Sequence, residues 1–145
     1  MRAFLDTTVP VYATGARHDQ RQPSLDVMEA AATRLTGFVT SSEVLQEILH
    51  LGVSRDELVR AQGVISRLIR VLGDRIVAVE AVDVLLAATE PFHSRLSSRD
   101  RVHVAVMRRL GVDTIISADH GFDLVPGIRR LNPLEFATWR VEVFG

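Results

Sequence analysis

Four short apolar runs set the fold expected of this chain: Ala3-Phe4-Leu5, Phe38-Val39, Ile76-Val77-Ala78-Val79 and Ile115-Ile116. None alternates with polar residues. A strand wetted on one face alternates, whereas a strand covered on both faces reads as a continuous apolar run. Between the runs lie segments with helical spacing, the plainest being Leu58, Ala61, Ile65, Leu68 and Leu72. The pattern predicts strands over 2–6, 37–40, 76–79, 114–117 and 128–131.

Helices are expected between them. Ser24 is read as the cap of a helix carrying Leu25, Val27, Met28, Ala31 and Leu35, and Thr40 with Glu43 as a capping box opening a helix to about Leu51. Further helices are expected over 54–72, 81–88, 97–110 and 133–138, the fifth capped by Ser97 or Ser98 and stopped at Gly111. Alternating strands and helices give an α/β fold, a three-layer α/β/α sandwich on a central, mostly parallel sheet. The 145 residues fit one domain, 1–145. No apolar run approaches the ~18 residues of a membrane span, and Asp6 interrupts the opening too early for a signal peptide, so a cytoplasmic protein is expected.

Two absences narrow the chemistry. Without cysteine, thiolate metal sites and cysteine nucleophiles are excluded, so a bound metal must sit on oxygen or imidazole. All 17 basic residues are arginine, which sets aside the P-loop and Schiff-base chemistries that use lysine. The net charge of −1 neither supports nor excludes a nucleic-acid substrate.

In open α/β sheets ligands bind at the carboxyl ends of the strands. Asp6 ends the first strand, Asp119 follows the 114–117 strand, Glu47 lies in the second turn of the helix after strand 37–40, and Asp100 opens the 97–110 helix. All four are therefore expected at one sheet edge. Three of them have duller explanations: Asp100 completes a cap with Ser97, Glu47 belongs to an exposed stripe, and Asp119, like Asp123, is a turn residue. Asp6, at a buried strand end, is hardest to dismiss. Clustered carboxylates repel one another and are relieved by a divalent cation, and an oxygen-only set suits Mg²⁺ or Mn²⁺. Such a site suits phosphodiester hydrolysis. His103 and His120 flank these acids, but surface or packing roles are the more common reading of both. Arg17, Arg21 and the pairs 108–109 and 129–130 are candidates for an RNA groove.

The motifs FLDTTVPVYA, TSSEVLQEIL, LSSRDRVHVAVMRRLGVDTIISADHGFD and VPGIRRLNP, spread over essentially the whole chain, resemble those of the PIN-domain ribonucleases, in particular the VapC-like toxins of toxin–antitoxin pairs. The resemblance implies that Asp6, Glu47, Asp100 and Asp119 are catalytic and hold Mg²⁺ or Mn²⁺, with Thr8 and Asp123 as auxiliaries. It further implies an endoribonuclease cutting tRNA or rRNA, a homodimer and an antitoxin partner. Thr8 stands where asparagine or serine is more familiar. Two other readings compete: a degenerate PIN-like module that binds RNA or protein without cutting, and a haloacid-dehalogenase-like phosphatase. The latter wants an acid at position 8 and usually a lysine.

Overall fold

The structure is a computed structural model describing residues 2–34 and 37–144. Five strands form one sheet in the order β3-β2-β1-β4-β5, and every pairing is parallel. They are β1 (Ala3–Leu5), β2 (Phe38–Ser41), β3 (Ile76–Val77), β4 (Thr114–Ile116) and β5 (Arg129–Leu131). Seven α-helices flank the sheet among the described residues: α1 (Thr8–Thr14), α2 (Arg21–Thr33), α3 (Ser42–Ser54), α4 (Leu58–Leu72), α5 (Ala81–Thr89), α6 (Ser98–Arg109) and α7 (Phe136–Phe144). No helix among these residues is long and apolar enough to cross a membrane.

Three of the four apolar runs behave as their pattern requires, whereas Ile76-Val77-Ala78-Val79 forms only a two-residue, half-buried edge strand. Ala3, Phe4, Leu5, Phe38, Ile115 and Ile116 are all fully buried, so consecutive side chains meet helices on both faces of the sheet. Leu68 and Leu72 of α4 and Val104, Val106 and Met107 of α6 complete the same core. Close packing reaches the backbone at Gly52: a Cβ there would stand 2.4 Å from the Cβ of Ala61, so glycine lets α3 and α4 approach.

Several local expectations need correction. Ser24 does not cap α2; the helix starts at Arg21, with Pro23 tolerated in its first turn, and Ser24 is buried inside it. Leu35, assigned to that helix from sequence, lies outside the described residues. Thr40 and Glu43 form no capping box. The Thr40 hydroxyl donates to the Leu5 carbonyl at 2.8 Å instead, tying the end of β2 to the end of β1, and Ser41 becomes the residue before α3. The helix expected from 54 begins at Leu58, after α3 has run on to Ser54. β3 stops at Val77, and the closing helix is a short 3₁₀ turn, Pro133–Glu135, followed by α7. The central strands are as expected, and at Thr40 the boundary moved because its hydroxyl found a partner across the sheet.

The order of strands fixes the place of the site. From β1 the chain builds outward through β2 to β3, then returns to the other side of β1 for β4 and β5. The β1–β4 boundary is the switch point of the sheet, where crossover helices diverge and a crevice opens at the carboxyl ends of the strands.

Candidate active site

Asp6 is the first residue beyond β1, and its N–H still bonds the Ile116 carbonyl of β4. It therefore sits in the switch-point crevice, 2% exposed. Its Oδ2 accepts from the Ser117 hydroxyl at 2.7 Å and from the Thr8 hydroxyl at 2.9 Å. Ser117, directly after β4, also accepts the Asp119 N–H at 2.9 Å, and Asp119 caps the following 3₁₀ turn by accepting from the Gly121 N–H. One hydroxyl thus joins the ends of both central strands.

Helix α6 delivers the other half. Ser97 caps it by accepting from the Asp100 N–H at 3.2 Å, as its position suggested. The cap uses the backbone of Asp100 and leaves its carboxylate to face the crevice, so the capping and site readings hold together. His103 lies one turn further along the same helix face and is completely buried. Asp6, Asp100 and His103 offer ligand-type atoms all within 4.8 Å of one another. From α3, Glu47 reaches the same imidazole: its Oε2 lies 3.3 Å from His103 Nε2 and accepts from the Thr7 hydroxyl at 2.6 Å. His103 Nε2 stands 3.8 Å from Asp6 Oδ1.

The electrostatics are those of crowded acids. Burial, the Asp6 charge and the Asp119 charge outweigh His103 and the Ser97 hydroxyl, lifting the Asp100 carboxyl from 3.8 to about 7. Burial also lifts Asp6, against the charge of His103 and the hydroxyls of Ser117 and Thr8. Burial pushes Glu47 the same way, but hydrogen bonds from His103 and Thr7, with the charges of His103 and Arg99, hold it below its ordinary value. His103 responds in kind: burial disfavours its charge, yet Glu47, Asp6 and Asp100 raise its pKa.

All four acids expected from sequence are therefore at this edge, although not equally engaged. Asp6 and Asp100 share one cluster with His103, Glu47 joins through His103, and Asp119 stands close enough for its charge to act on Asp100. Asp123 turns elsewhere: both its oxygens accept from Arg130, which also contacts His120 Nδ1. Thr8 supports Asp6 instead of supplying a second acid, which removes the ground for phosphatase chemistry. The arginines expected to rim a groove are largely engaged: Arg108 with Glu90, Arg109 with Asp83, Arg129 with Glu142 and Arg130 with Asp123. Sequence reasoning missed Thr7 and Ser117 and undervalued His103. The i,i+3 spacing of Asp100 and His103 on one helix was the available signal.

A parallel sheet with acids gathered at its switch point defines a class. The chain belongs to the PIN domain family, whose model matches residues 3–128. Within that family its relatives are VapC ribonucleases: it is 34% identical over 129 residues to ribonuclease VapC13 of Mycobacterium tuberculosis, covering 88% of this chain and 98% of the relative. Ribonuclease VapC23 of the same organism is 36% identical over 120 residues, 81% of this chain and 92% of the relative. Among solved structures the fold is similar to that of VapBC2 from Rickettsia felis bound to a promoter DNA fragment (TM-score 0.64, 19% identity, 91% of this chain and 98% of that one). It is also similar to M. tuberculosis VapC20, described as a sarcin–ricin loop cleaving toxin (TM-score 0.61, 21% identity, 78% of this chain and 86% of that one).

Proposed function

We propose that this protein is a Mg²⁺- or Mn²⁺-dependent endoribonuclease, the toxin of a toxin–antitoxin pair, with Asp6, Glu47, Asp100 and Asp119 as its catalytic acids. The observation that carries the reading is the Asp6–Asp100 pair: two acids within 4.8 Å, one pushed to about 7, with no arginine bonded to either among the described residues. Crowding of that kind costs stability in the absence of a cation, and the donor set is hard oxygen without thiolate, so it fits Mg²⁺ or Mn²⁺. Asp6 and Asp100, with Glu47 and Asp119, would hold the ion. When bound, it supplies charge stabilisation at the phosphoryl oxygens and lowers the pKa of water.

The remaining work belongs to the chain. Ser117 and Thr8 hold Asp6 by Oδ2, which fixes the carboxylate before substrate arrives. The amino terminus of α6 opens beside the cluster and presents the positive end of its dipole to a phosphodiester. Hydrolysis forms a bond from water oxygen to phosphorus and breaks one ester P–O bond; the attacking water gives up a proton and the departing oxygen takes one. The substrate class is tRNA or rRNA, with support from the structural neighbour VapC20, described as cleaving the sarcin–ricin loop. The partner is an antitoxin, the paired arrangement of VapBC2 being its support, and the protein acts in the cytoplasm as a homodimer of one-domain chains.

The test is cleavage of total bacterial tRNA and rRNA with Mg²⁺ or Mn²⁺ and with excess EDTA, beside Asp6→Asn and Asp100→Asn. Discrete fragments are expected with wild type and metal alone. Identical backgrounds in all samples would overturn the reading in favour of a binding module.

A further inference from the structure

Glu47 is held in an unequal way. Its Oε2 receives two hydrogen bonds, from the Thr7 hydroxyl at 2.6 Å and from His103 Nε2 at 3.3 Å. Among the described residues its Oε1 has no partner. The two donors come from different elements, Thr7 from the β1–α1 turn and His103 from the middle of α6, so the grip ties α3 to both halves of the site. Neither side chain has another hydrogen-bonding task. Thr7 precedes α1 but makes no capping bond, and His103 Nδ1 is buried without a partner.

That orphaned Nδ1 separates two roles for His103. A histidine that ligates a metal almost always donates its other ring N–H to a carboxylate, a carbonyl or water, which fixes the ring for coordination. Among the described residues no carboxylate or carbonyl receives such a bond. Nε2 stands 3.3 Å from Glu47 Oε2, and an ionised carboxylate can only accept, so this nitrogen carries the donated proton. The ring is packed rather than hydrogen-bonded on its other side, tilted against Phe4 with centroids 5.4 Å apart.

We infer that Thr7 and His103 are positioning residues that clamp Glu47 by Oε2 and so dedicate Oε1 to the reaction site. The inference rests on the nuclease reading for its kinetics but not for its geometry. A freely rotating glutamate would exchange its two oxygens and sample several rotamers. With Oε2 fixed from two sides, Oε1 is the one carboxylate oxygen left without a hydrogen bond among the described residues, and it is held in a single orientation. His103 thereby acts through Glu47 and is not itself a ligand.

The experiment combines a double-mutant cycle with crystallography. Thr7→Val and His103→Leu remove the donors with little change of shape, whereas Thr7→Ser and His103→Gln retain an O–H and an N–H. Loss of such a supporting bond typically lowers activity or metal affinity about 10–100-fold. The expected result is a fall in kcat of about tenfold or more for the first pair with KM unchanged, and recovery to within about threefold for the second pair. In a Glu47→Ala background Thr7→Val should have no further effect on kcat or on Mn²⁺ affinity measured by electron paramagnetic resonance, because the clamp acts only through Glu47. Additive losses would overturn the clamp. Crystal structures should show one Glu47 rotamer in wild type and a displaced or split carboxylate in Thr7→Val and His103→Leu. A carboxylate unmoved in both variants would overturn it whatever the RNA assay gives. If wild type cuts no RNA, the nuclease reading falls while the crystallographic arm still decides the clamp.

Discussion

Asp6 and Asp83 are both buried acids, 2% and 0% exposed, yet their surroundings are opposite. Asp83 on α5 meets Arg109 of α6 in a two-pronged pair, at 2.8 and 3.0 Å, and its Oδ2 also accepts the Glu80 N–H. Burial pushes its carboxyl up, but the Arg109 hydrogen bonds, the Glu80 N–H and the guanidinium charge outweigh it and leave the pKa lowered. Asp6 has hydroxyls and an imidazole around it and a second acid beside it, and its pKa is raised. A buried acid answered by a guanidinium is a fastener between two helices. A buried acid faced by more acids is a deficit of positive charge, which a bound cation would relieve.

Substitution should therefore have opposite effects in the two places. The largest effect belongs to the cluster: Asp6→Asn keeps the size of the side chain and should lower RNA cleavage about 10³-fold or more, a loss of about 4 kcal/mol in transition-state stabilisation. Fragment yield against time checks it, and near-normal cleavage would place the chemistry elsewhere. Next comes the fastener. Arg109→Met leaves Asp83 buried without its partner, so urea unfolding should show a loss of about 3 kcal/mol, at the low end for a broken buried pair because the arginine is a quarter exposed. Its cleavage rate per folded molecule should stay at the wild-type level. A stable Arg109→Met protein would mean that the pair fastens little.

The smaller effect concerns pH. In the fold the Asp100 carboxyl titrates near 7, against an ordinary value of 3.8. The metal-free protein thus holds a proton there that the unfolded chain releases earlier. The stability linked to it is full below about pH 4 and is lost as pH rises through about 7. His103, also raised, acts in the same direction, and Glu47, lowered, opposes it. Thermal unfolding in EDTA should accordingly fall in midpoint from pH 5 to pH 8 for wild type and fall less for Asp100→Asn. A steeper fall in the variant would contradict the assigned charge crowding.

How far the sequence revealed this contrast depends on how each residue does its work. The parallel sheet was legible because burial on both faces leaves an apolar run, as in Ala3-Phe4-Leu5 and Ile115-Ile116. The four acids were legible because strand ends and first helical turns can be counted along the chain. Thr40 and Ser24 misled: both fit local cap rules, but the Thr40 hydroxyl found the Leu5 carbonyl across the sheet, and Ser24 lies buried within a helix already begun at Arg21. Thr7, Ser117 and His103 were harder, because they act through contacts 40, 111 and 56 residues away. No local pattern encodes such partners. The Arg109–Asp83 pair was invisible for the same reason, so four of the arginines expected to rim a groove, Arg108, Arg109, Arg129 and Arg130, proved to be fastened to acids.

The most direct measurement is thermal unfolding at pH 8 of wild type and Asp100→Asn, each in EDTA and in saturating Mn²⁺. A ligand at about 100 times its dissociation constant stabilises the folded state by about 2.7 kcal/mol. The account predicts that Mn²⁺ raises the wild-type midpoint by several degrees, that Asp100→Asn starts about 4 °C above metal-free wild type, and that Mn²⁺ then adds little to it. A wild-type midpoint indifferent to Mn²⁺, together with an Asp100→Asn protein less stable in EDTA, would contradict the claim that the Asp6–Asp100 cluster awaits a cation.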